Sequence, residues 1–191
     1  MENEFGLIEK ARQGDREAFG ELYDFYVRRI YDFVYYRVSS KEMAEDLTSD
    51  IFFKALAKIN SFNPEQKNSS FGAWLYRIAR NRVIDHYRSH RPVASLEEDE
   101  NTFSDGGDLA EELKQQEERK IILKYLDILK PEQKELLLLR VWDERSYKEI
   151  ALITGKSEAA LKMAFGRAIK VLRQKMPADL LLVCIIINLL K

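Results

Sequence analysis

From Asp15 onward apolar residues recur every three or four positions: Phe19, Leu22, Tyr23, Tyr26, Ile30, Phe33 and Val34. This spacing predicts an amphipathic helix with its aromatics turned to a core. A second helix is predicted from Ser40, with Met43, Leu47, Ile51, Phe52, Leu56 and Ile59 on its inner side. The polar stretch Asn60–Ser70 contains Pro64 and reads as a loop. Ser69 or Ser70 then caps a third helix, FGAWLYRIARNRVIDHYRSHR, which Pro92 stops. Phe71, Trp74, Leu75, Ile78 and Val83 mark its inner side, while Arg77, Arg80, Asn81 and Arg88 fall together on the other.

The pattern lapses over residues 93–108, which are polar, acidic and centred on SDGG, so a flexible linker is expected there. It divides a first module, residues 1–92, from a second, residues 109–176. The second opens with a helix over Leu109–Leu129; Pro131 then starts another, PEQKELLLLRVWDE, proline being suited to a first helical turn. Ser146-Tyr147-Lys148-Glu149 is a capping box that fixes the start of a short helix ending at Thr154-Gly155-Lys156. Ser157 caps the last long helix, with Leu161, Phe165, Ala168 and Leu172 inward. With only 8 Gly and 4 Pro there is too little turn chemistry for an all-β fold. The expected architecture is all-α, two small helical domains joined by the linker.

A net charge of −1 hides strong segregation. Residues 69–92 hold five arginines against Asp85, a net +4, and residues 154–175 hold six Lys or Arg against Glu158, a net +5. Between them, residues 93–119 carry ten acidic residues against Lys114 and Arg119, a net −8. Clustered Lys and Arg on single elements is the electrostatic footprint of a phosphate-backbone binder. The acidic linker, residues 93–108, is expected to shield the basic helices by folding across them in the free protein.

A short capped helix, a turn containing glycine and a longer basic helix form the helix-turn-helix pattern. Gly155 supplies the turn conformation. After the turn residues Lys156 and Ser157, the residues Glu158, Ala159, Lys162, Met163 and Gly166 face outward near the second helix's N-terminus, where base edges are met. Arg167, Lys170 and Arg173 lie further along and suit phosphates. An αα-hairpin with a merely solvated basic face has the same local pattern; the capping box, glycine turn and charge together favour DNA binding.

Three segments, AEDLTSDIFFKAL, FGAWLYRIARNRVIDHYRSHR and SYKEIALITGKSEAALKMAFGRAIKVL, resemble in order and spacing the small extracytoplasmic-function sigma factors, which contain regions two and four of the sigma superfamily. The resemblance runs to about Lys175. It implies a promoter-specificity subunit with no catalytic activity, working in the cytoplasm. Its partners would be core RNA polymerase, promoter DNA and an anti-sigma factor; it would take no small-molecule substrate and no cofactor. It also implies that the AEDL helix docks on the polymerase's largest subunit through Asp46 and Asp50, with Phe52 or Phe53 as apolar contacts. The arginine-rich helix would open the minus-ten element: Trp74 offers an aromatic face and Asn81 a hydrogen bond, while Arg77, Arg80 and Arg88 hold backbone. Asn63 lies in the loop where the family builds its pocket for a flipped base. The helix-turn-helix would read the minus-thirty-five element.

The sequence departs from the family at Ser49, where glutamine is usual, and at Leu161-Lys162-Met163-Ala164, where Val-Lys-Ser-Arg is usual. A regulator using the helix-turn-helix alone, with the first module as sensor or dimerisation unit, is the competing reading. His86 and His90 stand four apart, a zinc-compatible spacing, but their arginine neighbours and the lack of a third ligand argue against a metal. The single cysteine, Cys184, rules out a disulfide framework and suits a reducing compartment, and the acidic N-terminus has no apolar stretch of the kind a signal peptide needs. In the tail, residues 177–191, the run LLLVCIIINLL is too short to span a bilayer, which needs about 20 residues. Packing on the second module or on a partner is expected of it rather than membrane contact.

Overall fold

The structure is a computed structural model that describes residues 4–38, 40–66, 69–89 and 124–175. The linker 93–108, most of the helix expected over Leu109–Leu129, and the tail 177–191 lie outside them. All elements among the described residues are helical, and they fall into two units, one holding the helices before residue 100 and the other the bulk of those after it. No helix among the described residues is long and apolar enough to cross a membrane.

The first unit contains α1 (Glu4–Arg12), α2 (Arg16–Tyr35), α3 (Lys41–Lys58), a 3-10 turn (Ile59–Ser61) and α4 (Phe71–Ser89). Side chains start three of the helices. Asp15 accepts from the Glu17 and Ala18 amides of α2, Ser40 from the Met43 amide of α3 and Ser70 from the Ala73 amide of α4. Leu22, Ile30, Phe33, Ile51, Leu75 and Tyr76 are almost wholly buried between α2, α3 and α4. The Phe33 and Tyr76 rings meet edge to face at 5.2 Å. Gly72 permits a close approach: a Cβ there would lie 3.1 Å from the Tyr26 hydroxyl, which donates to Glu4 of α1. Thr48, buried on α3, is satisfied by donating to the Ala44 carbonyl at 2.6 Å.

Several residues depart from the predicted pattern. Helix α1 was not predicted, although Leu7, Ile8 and Ala11 are buried. Leu56, expected inward, is 45% exposed, and Ala55 takes the buried position beside it. Trp74 and Ile78 are half-buried at the margin of the core.

In the second unit α5 (Pro131–Leu137) begins with proline as expected, but then widens into a π segment (Leu138–Trp142). The Asp143 amide donates to the Leu138 carbonyl at 3.0 Å, and the helix ends there, with Glu144 left-handed at φ 54°. The predicted helix was a continuous one. The widening keeps Leu138, Leu139 and Val141 all buried. Helices α6 (Tyr147–Thr154) and α7 (Glu158–Lys175) follow, and α7 packs on α5. Ile150, Ile153, Leu161, Ala168 and Leu172 form the buried side of this pair.

Candidate docking and nucleic-acid surfaces

One outward stripe of α3 combines charge with apolar area. Asp46 and Ser49 are exposed, and one and two turns on stand Phe53, 72% exposed, and Leu56. Phe53 and Leu56 together give the stripe exposed apolar area next to its polar residues. Phe52, named with Phe53 as an apolar contact, requires correction. It is 6% exposed, its ring 4.7 Å from that of Tyr23, because one residue along a helix turns the side chain by about 100° into the core. Asp50 is half-exposed and engaged: its carboxylate accepts from the Arg82 Nε of α4 and lies 3.3 Å from the Lys54 ammonium. Burial pushes its carboxyl up, but these hydrogen bonds and charges outweigh burial and hold it below the ordinary aspartate value.

On α4, Arg77, Asn81 and Arg88 are exposed along one face, with Arg80 half-buried beside them. At its N-terminal end a recess is lined by Ser61, Phe62, Asn63, Ser69, Trp74 and Arg77. The Asn63 side chain accepts from the Glu65 amide at 3.0 Å and its carbonyl accepts from the Ser69 hydroxyl at 2.7 Å, which folds the loop into a wall. Trp74 rests against Phe62 at 5.4 Å and Phe71 at 5.3 Å, so it is both part of the core margin and a surface of the recess. Tyr87, 49% exposed near the helix end, donates to the Arg37 carbonyl of the segment after α2.

The helix-turn-helix is built by local hydrogen bonds. Ser146 Oγ accepts from the Glu149 amide at 3.2 Å, and Glu149 Oε2 accepts from the Ser146 amide at 2.8 Å. Burial alone would raise the Glu149 carboxyl, but hydrogen bonds from Ser146 and the charge and hydrogen bond of Arg145 keep it low. Gly155 closes α6 at φ 73°, its amide donating to the Ala151 carbonyl at 2.8 Å. Ser157 Oγ accepts from the Ala160 amide at 3.3 Å and so starts α7.

The outward face of α7 presents Glu158, Ala159, Lys162, Met163, Gly166, Arg167 and Lys170, all exposed. Lys162 Nζ lies 5.7 Å from the centre of the Tyr147 ring. Lys156, in the turn, forms an ion pair with Glu132 of α5. Gly166 has open space where a Cβ would stand. Among the described residues no three His, Cys, Asp or Glu gather as a metal site; His90 lies outside them.

Comparison with known proteins accounts for this pairing of units. The Sigma-70 region 2 family model matches residues 22–93 and the Sigma-70, region 4 model matches residues 110–172. The chain is 37% identical over 179 residues to the ECF RNA polymerase sigma factor BldN of Streptomyces coelicolor, covering 91% of this chain and 66% of BldN. It is 31% identical to the ECF RNA polymerase sigma factor SigX of Bacillus subtilis, covering 84% of each. A co-crystal structure of the sigma factor RpoE with the anti-sigma factor NepR from Bartonella quintana superposes with a TM-score of 0.64 at 27% identity, covering 84% of this chain and 98% of that one. The chain belongs to the ECF RNA polymerase sigma factors.

Proposed function

We propose that this chain is the promoter-specificity subunit of a bacterial RNA polymerase, acting in the cytoplasm by binding alone. The observation that carries the reading is the α3 stripe, where Phe53 stands exposed two turns beyond Asp46 in the unit matched by Sigma-70 region 2. Asp46 and Phe53 dock on core polymerase, the first supplying an acceptor for a cation and the second an apolar anchor. The recess formed by Asn63 and Trp74 takes an unstacked base of the minus-ten element, and Arg77, Arg80, Asn81 and Arg88 hold the strand beside it. The turn and α7, from Lys156 to Lys170, enter the major groove at the minus-thirty-five element. Residues 1–92 and 109–176 form the two working domains. An anti-sigma factor is the expected restraining partner, as RpoE has in NepR.

Run-off transcription with purified core polymerase tests this reading. Specific transcripts are expected only when the chain is added. A chain that binds duplex DNA but neither binds core nor starts transcripts would be a free-standing helix-turn-helix regulator instead.

A further inference from the structure

Arg82 belongs to the basic run of α4 yet stands apart from its outward face. At about 100° per residue it is turned well away from Arg77, Asn81 and Arg88, and its side chain is 26% exposed. Its Nε donates to Asp50 on α3, a residue 32 positions earlier, which also takes the Lys54 ammonium. Helices α3 and α4 also pack on each other, and each buries apolar residues, Ile51 and Ala55 on α3, Leu75 and Ala79 on α4. The hydrophobic term is non-directional and follows the area removed from water. A charge-assisted hydrogen bond is directional and fixes one register.

We infer that Asp50 and Arg82 are positioning residues, a brace that sets the rotation of α4 on α3 so that docking of one delivers the other to the melted strand. Arg82 then makes no phosphate contact of its own, and Asp50 serves α4 rather than the polymerase. The inference rests on α3 docking core polymerase and α4 handling the opened promoter.

The test uses the full chain in holoenzyme, as parent, Asp50→Asn, Arg82→Gln, the double variant and Arg82→Lys, at a temperature where thermal melts show all of them folded. Three quantities are read: affinity for core, salt dependence of promoter binding, and the rate of strand opening by 2-aminopurine fluorescence at saturating holoenzyme. Each neutral single variant should slow opening about threefold, the scale of a partly exposed ion pair. The double should be no slower than either single, and Arg82→Lys should recover part of the rate. Core affinity and salt slope should be unchanged in Arg82→Gln.

Additive losses, or a salt slope lower by about one in Arg82→Gln, would make Arg82 a DNA ligand and overturn the brace. Weaker core binding with normal opening in Asp50→Asn would return Asp50 to the docking surface. Opening rates equal to the parent in all variants would also overturn it. A parent chain that forms no holoenzyme fails the promoter-specificity reading itself, whereas a competent parent with uncoupled variants fails only the brace.

Discussion

Lys156, in the turn that leads into α7, is ion-paired with Glu132 at the start of α5, the two side chains being 43% and 75% exposed. A cation at the mouth of the recognition helix is thus shared with a carboxylate before any DNA arrives. Glu132→Gln should tighten binding to duplex promoter DNA at low salt and steepen its salt dependence, by at most about one unit of slope. Fluorescence anisotropy across a salt series measures both; an affinity no higher than the parent's would place Lys156 away from the phosphates.

Neighbouring phenylalanines on α3 should fail in opposite ways. Phe52→Ala empties a core position and should cost about 3 kcal/mol of stability. Phe53→Ala should change stability by less than about 0.5 kcal/mol but weaken core polymerase binding about tenfold, as expected on losing an apolar anchor. Denaturant unfolding and a core-binding titration on both variants separate the two effects. Asp46→Arg should likewise abolish core binding with the melt unchanged.

At Gly155 the backbone is left-handed, and a Cβ would find open space, so the penalty for a side chain is conformational alone. Gly155→Ala should cost about 1 kcal/mol without disturbing packing, visible as a lower urea midpoint with an unchanged slope. Gly72→Ala differs in kind, since Tyr26 must give way.

Acid should weaken both units. The carboxyls of Asp50 and Glu149 titrate lower in the folded chain than in the unfolded one. Their contribution is therefore complete above the ordinary carboxylate range and is lost as pH falls through their lowered folded values. Glu149→Gln should make stability less dependent on pH between neutral and acidic conditions, measured as urea midpoints; a pH dependence equal to the parent's would show that another group dominates.

Elements with strong periodicity and a capping residue were legible in the sequence. Asp15, Ser40, Ser70 and the Ser146–Glu149 box each start a helix where the spacing required one. Helix α1 escaped because Leu7, Ile8 and Ala11 give too short a stripe to display a period. The π segment escaped because four consecutive leucines fit a helix of any pitch, and the burial of Leu138, Leu139 and Val141 together decided it. Among the site residues, spacing gathered Arg77, Asn81 and Arg88 on one face. It also set Phe52 inward and left Phe53 off the inner side; the resemblance named both as docking contacts, and burial decides for Phe53. The links from Asp50 to Arg82 and from Lys156 to Glu132 join distant segments and leave no mark in local sequence.

Gly166 lies between Met163 and Arg167 on the exposed face of α7, with open space where a Cβ would stand. A mid-helix glycine costs about 1 kcal/mol relative to alanine, so most replacements there would start with a gain in helix stability. The chain therefore carries a vacant position at the centre of the surface proposed to read DNA. Diversifying Gly166 together with Met163 gives a compact library for evolving regulators that ignore each other's promoters, useful for insulated gene circuits, with reporter cross-activation as the measure of success.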